Sequence, residues 1–290
     1  MVRIASYNLL HGIDLSGLVE GARGGGAAGG GSSATSPRID LGAAAEAIAA
    51  LDADVVAVQE ADRALPRSGG SHQVDELGAL LGMHARFAPA LLGSPDECWR
   101  AAPDHDPGGP AYGVGLLSRW PLATCTRVAL PGGGDGRRSA IAPASSDDLP
   151  VGNKPGWPGY DREPRAGLRA VVDTDAGRLV VTTAHLSYLP WRGLSQLAAL
   201  ARAADGGGPA VLVGDLNLPV WPVRALLAGR WRHAGGAATY PAWRPRLQVD
   251  QLLVRGGVAI SDITVAARTT SDHLPLVATL ALPRREEADG

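Results

Sequence analysis

Polar residues of a few recurring types stand at the ends of apolar, strand-like runs in this chain. Asn8 closes the first run, Gln59-Glu60 closes DVVAVQE, and His185 closes LVVTTAH. Asp215 and Asn217 follow AVLVG, Asp250 lies inside QVDQLLV, and Asp272-His273 precedes the last apolar run. A lone polar residue in such a place is usually a cap or a solvated turn. Repetition of Asn, Glu, His and Asp at one strand end after another is different, because the ends of packed strands converge on one edge of a scaffold.

The residue types suit phosphoester chemistry. Carboxylates and amides are hard oxygen donors for Mg²⁺ or Mn²⁺, and the chain has no Cys/His cluster of the kind that holds structural zinc. Such a cation polarises a phosphoryl oxygen and stabilises the leaving oxygen, and imidazoles can stabilise the crowded transition state. Asp215 and Asn217 are two apart, so an extended segment would turn both to one side, one toward a water and one toward phosphate. Asp272 and His273 are adjacent and would diverge on a strand to serve two centres. Asp250 is suited to orienting His273.

These positions need rigid elements behind them. Strand-like runs are expected at Val2–Leu9, Asp54–Glu60, His84–Leu91, Tyr112–Ser118 and Leu122–Leu130, then at Leu168–Thr174 and Arg178–His185 around an Asp175-Ala176-Gly177 turn. Ala210–Gly214, Gln248–Val254, Ile263–Ala267 and Leu274–Leu280 complete the set. Helices are expected at Leu41–Leu51, capped by Asp40, and at Val74–Leu81, Leu194–Ala204 and Val223–Leu227. Strands alternating with helices imply two packed sheets covered by helices. The expected organisation is one domain over 1–283, with Gly/Pro/Ser-rich loops at 21–36 and 131–164 and a tail at 284–290.

Composition narrows the partners. The chain has 290 residues, 45% of them hydrophobic, enough for a sizeable core. Its formal net charge is −2, and Lys154 is its single lysine, which disfavours nucleic acid without excluding it. Cys98 and Cys125 form no disulfide framework or metal spacing. No apolar run approaches the roughly 20 residues of a membrane span, and no secretory leader pattern opens the chain. A cytoplasmic protein is the expectation; the oligomeric state is open.

Taken together, SYNLLHG (Ser6–Gly12), DVVAVQEAD (Asp54–Asp62), YGVGLLSRWPL (Tyr112–Leu122), EPRAGLRA (Glu163–Ala170), TTAHLS (Thr182–Ser187), VGDLNLP (Val213–Pro219), QVDQLLV and SDHLPL (Ser271–Leu276) resemble the endonuclease/exonuclease/phosphatase superfamily, in its order and over nearly the whole chain. The resemblance implies an α/β fold, a four-layer α/β sandwich of two packed mixed sheets flanked by helices, with the site at one rim. It implies Asn8, Glu60 and Asp272 as metal-site residues for Mg²⁺ or Mn²⁺. It also implies Asp215 as the residue that positions or deprotonates the water, and Asn217 as a phosphate and metal-site ligand. His185 and His273 become the imidazoles flanking phosphate, with Asp250 supporting His273 and Arg165 helping to shape the site.

Several positions depart from the family pattern. Leu10 stands where some members carry an acid, Val114 replaces a common Asn, Gln251 stands where an aromatic often follows the supporting Asp, and Tyr112 has no secure counterpart. His11, His72, His84, His105 and His233 are expected at the surface or in loops. Trp191, Trp221, Trp231 and Trp243 are expected to pack at loop bases rather than to form a substrate rim.

The function expected is Mg/Mn-dependent hydrolysis of a phosphodiester or phosphomonoester by in-line attack of an activated water. The alternatives are a nuclease acting on nucleic acid and a non-catalytic binding module on the same fold.

Overall fold

A computed structural model describes residues 1–23, 38–94, 99–132, 161 and 163–283. Its strands are, in chain order, β1 (Val2–Asn8), β2 (Val55–Arg63), β3 (His84–Leu92), β4 (Arg100–Ala101), β5 (Ala111–Ser118) and β6 (Leu122–Ala129). There follow β7 (Ala166–Thr174), β8 (Gly177–His185), β9 (Ala210–Asp215), β10 (Arg232–His233), β11 (Asp250–Arg255), β12 (Ala259–Val265) and β13 (Leu276–Ala281). The α-helices are α1 (Ser16–Arg23), α2 (Leu41–Ala49), α3 (Gln73–Leu81), α4 (Pro190–Ala203) and α5 (Val220–Leu227).

Alternation along the strands sorts side chains into layers. Ile4 of β1 and Val55 and Ala57 of β2 point inward, meeting Leu168, Val181, Val211, Val213 and Leu252 of the other sheet. Ala5, Tyr7, Val56 and Val58 point outward and bury Ala44, Ala47, Ile48 and Leu77 of α2 and α3. On the far side, Leu197, Leu200 and Val223 of α4 and α5 cover Val180, Leu212 and Leu253. The result is helices, sheet, sheet, helices: the expected four-layer sandwich.

The first sheet has the order β12-β13-β1-β2-β5-β3-β4 and the second β10-β11-β9-β8-β7-β6. Each centres on one parallel pair, β1 with β2 and β8 with β9, flanked by antiparallel strands. Parallel strands end on the same side, so Asn8 emerges beside Gln59, and His185 beside Asp215. Asp250 opens β11 directly opposite Asp215. Both sheets therefore deliver polar residues to a shared rim.

Local signals hold well. The Asp40 side chain accepts from the Ala43 amide at 2.8 Å, capping α2 as expected. The β7–β8 hairpin turns at Asp175-Ala176, with Thr174 paired to Gly177. Pro190 occupies the first turn of α4, where its missing N–H costs nothing.

Other elements shift. Residues 21–23, expected as loop, complete α1, an unanticipated helix whose two glycines conceal it and whose Val19 packs with Leu15 and Leu274. Tertiary burial overrides weak propensity there. β12 begins four residues earlier than expected, at Ala259, pairing with Ala281 of β13. The remainder of the 21–36 loop, most of the 131–164 loop, the 284–290 tail, Cys98 and Lys154 lie outside the described residues. No helix among the described residues is long and apolar enough to cross a membrane.

Candidate active site

The rim encloses a cavity of about 560 Å³ lined by Glu60, His185, Asp215, Asn217, Asp272 and His273 together with His11, Arg67, Tyr112, Glu163 and Arg165. Asn8 is buried directly beneath. Its Nδ2 donates to Glu60 Oε1 at 3.1 Å and to Asp215 Oδ2 at 3.2 Å, tying the two sheets together. The Leu10 amide donates to Asn8 Oδ1 and fixes the orientation of that side chain.

Glu60 reaches the cavity because β2 bulges: the β2–β5 register shifts between Val58 and Ala61, and Glu60 itself has φ +54°. A left-handed glutamate is strained backbone, and bulges commonly re-aim a side chain beside a site. Burial alone would raise its pKa, but His185, His11 and the Asn8 hydrogen bond outweigh it and hold the carboxyl down at about 2.

Asp215 and Asn217 do not share one side of an extended strand, contrary to expectation. β9 ends at Asp215, and Asn217 has φ +50°. The Asn217 amide donates to Asp215 Oδ1 at 3.0 Å, closing an Asx turn. The turn aims the Asn217 side chain back, where Nδ2 meets His185 Nε2 at 2.9 Å and the Leu186 carbonyl at 3.0 Å. Since Nδ2 must donate to that carbonyl, it also donates to Nε2, and the neutral imidazole carries its proton on Nδ1. That Nδ1 is buried with no hydrogen-bond partner. Burial first, then the Arg165 charge, lowers the His185 pKa to about 3, so the ring is neutral at pH 7.

Asp272 and His273 likewise sit in the loop before β13, not on a strand. The His273 Nδ1 lies 2.9 Å from Asp250 Oδ2, and its Nε2 lies 3.8 Å from Asp215 Oδ2. Burial opposes charge on His273, but Asp250 and Asp215 overcome it and raise its pKa, so it is an imidazolium. Burial, reinforced by Asp250 and Glu60, pushes the Asp215 carboxyl above the ordinary range despite His273. Asp272 is also raised, by burial and by Glu60, although the Ser271 hydroxyl donates to it.

Two groups of donors could hold a cation. Asp215, Asp250 and His273 place ligand atoms within 4.8 Å of one another. There, however, His273 is charged, with Nδ1 bonded to Asp250 and Nε2 facing Asp215 at 3.8 Å, so its ring has no lone pair to offer a cation. Glu60 and Asp272 also line the cavity as hard oxygen donors, whereas Asn8 presents Nδ2 to Glu60 and would have to turn its amide to add an oxygen. The raised Asp215 and Asp272 carboxyls are what a cation would relieve.

His11, expected at the surface or in a loop, lies in a loop turn and also faces the cavity. It sits in a 3-10 turn three residues after Asn8, with φ +56°. Its Nε2 is 3.5 Å from Glu60 Oε2, and its Nδ1 meets Arg67 at 3.1 Å and Asp62 at 3.6 Å. Its place in SYNLLHG, one turn beyond the buried Asn8, was a usable signal. Arg67, held by Asp62, carried none, whereas Glu163 opens the EPRAGLRA segment. Arg165 does line the cavity, and Tyr112 joins it there. His72, His84 and His105 are exposed, and His233 bonds Gln251 at 2.9 Å away from the cavity. Trp231 is buried under Arg255 and Trp243 packs beside Ala242, as expected, whereas Trp191 and Trp221 are 64% and 75% exposed.

Comparison with known proteins bears on the fold and the family. No curated protein matches the sequence. Among solved structures, an endonuclease/exonuclease/phosphatase from Beutenbergia cavernae DSM 12333 superposes with a TM-score of 0.65 at 21% identity, covering 97% of this chain and 71% of that one. The mannosyl-6-phosphatase Bt3783 of Bacteroides thetaiotaomicron VPI-5482 gives 0.59 at 14% identity over 97% and 99% of the chains. A humanized D. rerio TDP2 gives 0.58 at 16% over 96% and 98%. At these identities the likeness establishes the fold alone. The model of the Endonuclease/Exonuclease/phosphatase family matches residues 5–273, nearly the whole chain, and the chain belongs to that family.

Proposed function

We propose that the protein is a divalent-metal-dependent hydrolase of a small phosphoester, a phosphodiester or a phosphomonoester. The observation that carries this reading is the meeting of both sheets at Asp215. Its Oδ2 lies 3.2 Å from Asn8, 3.5 Å from His185 and 3.8 Å from His273. A family whose members are largely hydrolytic makes the reading economical.

Asn8, Glu60 and Asp272 would hold Mg²⁺ or Mn²⁺. The bound cation would polarise a phosphoryl oxygen and neutralise charge on the leaving oxygen. Asp215, a stronger base than an ordinary carboxylate, holds the attacking water and takes its proton. Neutral His185 offers its Nδ1 proton to a phosphoryl oxygen, with Asn217 locking the tautomer. His273, kept charged by Asp250, stabilises the pentacoordinate phosphorus as negative charge develops. A cavity of about 560 Å³ suits a small organic phosphate.

The test is an activity screen with Mg²⁺ and Mn²⁺ over an aryl phosphodiester, alkyl and sugar phosphate esters, single- and double-stranded DNA, RNA and sphingomyelin. Asp215→Asn is the control. Turnover of a small ester that needs the cation and vanishes in Asp215→Asn is the expected result. Cleavage of nucleic acid alone would replace this substrate class, and no turnover of any ester would end the enzyme reading.

A further inference from the structure

The part of the cavity wall formed by Glu163 and Arg165 has unspent hydrogen-bonding capacity. Arg165 is only 7% exposed and lines the cavity, yet its Nε and Nη1 have no hydrogen-bond partner. Glu163 Oε1, beside it at 3.4 Å from Nη1, is buried and equally without one. Buried polar atoms in folded proteins are nearly always bonded, so adjacent orphans of opposite character in a cavity wall point to a ligand.

The chemistry of the pair selects that ligand. Arg165 offers only donors, while a Glu163 carboxylate offers only acceptors. A second phosphate or a carboxylate would meet the negative field of Glu163 and of Asp161, which lies 3.6 Å from Arg165. A ligand ammonium would meet Arg165. The neighbouring Arg67 adds no free charge, because Asp62 binds it through both oxygens at 2.7 and 2.8 Å. The wall is thus compensated within itself and suits an uncharged polar group. A hydroxyl both donates and accepts, so adjacent hydroxyls satisfy carboxylate and guanidinium together. A flat base would need a bare aromatic face. The Tyr112 ring is already flanked by Arg67 at 5.6 Å and His11 at 5.4 Å, with the Trp99 ring edge-on at 5.8 Å. The Tyr240 ring lies 4.8 Å from that of His273, and Tyr188, half-exposed at the cavity, makes a nucleotide the competitor to test.

We propose that this wall is a polyol subsite. In it Glu163 and Arg165 take neighbouring hydroxyls of a sugar-like ring that forms the alcohol part of the phosphoester substrate. The proposal rests on the phosphoesterase reading and names the substrate class for that same cavity.

Binding separates the two claims. Glucose, mannose and galactose 6-phosphates and their methyl diesters are titrated by calorimetry, with Mg²⁺ present, into the Asp215→Asn protein. Ethyl phosphate, its methyl diester and adenosine 5′-monophosphate are the comparators. At least one hexose ester is expected to bind tenfold or more tightly than the matching ethyl ester. Adding Glu163→Ala removes that margin, and Glu163→Gln, which keeps an acceptor oxygen, retains part of it. No margin for any hexose, a margin that survives Glu163→Ala in a protein that melts normally, or tighter binding of the nucleotide would overturn the subsite. Wild-type turnover of esters without a hexose margin removes the subsite alone. A hexose margin in binding, with no turnover of any ester, removes the phosphoesterase reading and leaves the subsite standing.

Discussion

Asp250 and His273 are 23 residues apart in the chain and meet in a buried 2.9 Å contact between Oδ2 and Nδ1. The carboxylate orients the ring, leaves Nε2 facing Asp215, and keeps the imidazole charged in a place where burial would strip its proton. Two consequences follow from one bond: the ring is aimed, and its acid form persists above the usual histidine range.

Replacing Asp250 with Asn removes the charge and keeps the shape. Since Asp250 is the largest influence holding the His273 pKa up, that pKa should fall, and the high-pH limb of the rate profile should move to lower pH. A loss of kcat on the order of 10²- to 10⁴-fold is expected, with KM changed far less. A pH–rate profile of variant against wild type checks both, and an unmoved alkaline limb would detach His273 from that limb.

Asp215→Asn should lower kcat by about 10³-fold or more while the circular dichroism spectrum stays native. Its stability should show a specific sign. The folded-state pKa of Asp215 is raised above that of the unfolded chain, so its contribution is intact below the ordinary carboxylate range and is lost as pH rises through the raised value. Urea melts of the metal-free proteins should therefore show wild type losing ground to Asp215→Asn between about pH 4 and about pH 8. Parallel stability curves would contradict it.

Cation binding should be linked to the same protons. Mg²⁺ or Mn²⁺ at about 100 times its dissociation constant would stabilise the fold by about 2.7 kcal/mol, a Tm rise on the order of 5 °C. Because Asp215 and Asp272 are both raised, the rise should grow as pH increases through their titration. Glu60→Gln should diminish it. A cation effect that is flat with pH, or intact in Glu60→Gln, would place the ion elsewhere.

Gly214, the residue before Asp215, has no room for a side chain. A Cβ there would stand 2.4 Å from the Ala184 carbonyl oxygen, in the neighbouring strand that carries His185. Gly214→Ala must push β8 and β9 apart, at a cost on the order of 2 kcal/mol and several degrees of Tm. Because the displaced strands end in His185 and Asp215, kcat should fall with stability. A variant that melts like wild type would show the pairing to be looser than drawn.

Much of this protein was legible in its residues. Short continuous apolar runs in DVVAVQE and AVLVG marked buried strands, Asp40 marked the start of α2, and the polar residues ending those runs named the chemistry. Such signals are local: apolar runs, caps and residue type act within a few positions and need no knowledge of the rest of the chain. The tertiary structure decided what stands beside what. Asn8 and Asp215 are 207 residues apart and meet at 3.2 Å because two parallel pairs from separate sheets end on one rim. Left-handed backbone at His11, Glu60 and Asn217 aims three site residues in directions that a straight strand or loop would not predict, and packing around them has to sustain that strain. The motifs Asp215-x-Asn217 and Asp272-His273 specified their residue types in advance. Their geometry, the place of His11 beside Glu60, and the pairing of Glu163 with Arg165 in the cavity wall came from contacts that spacing along the chain does not encode.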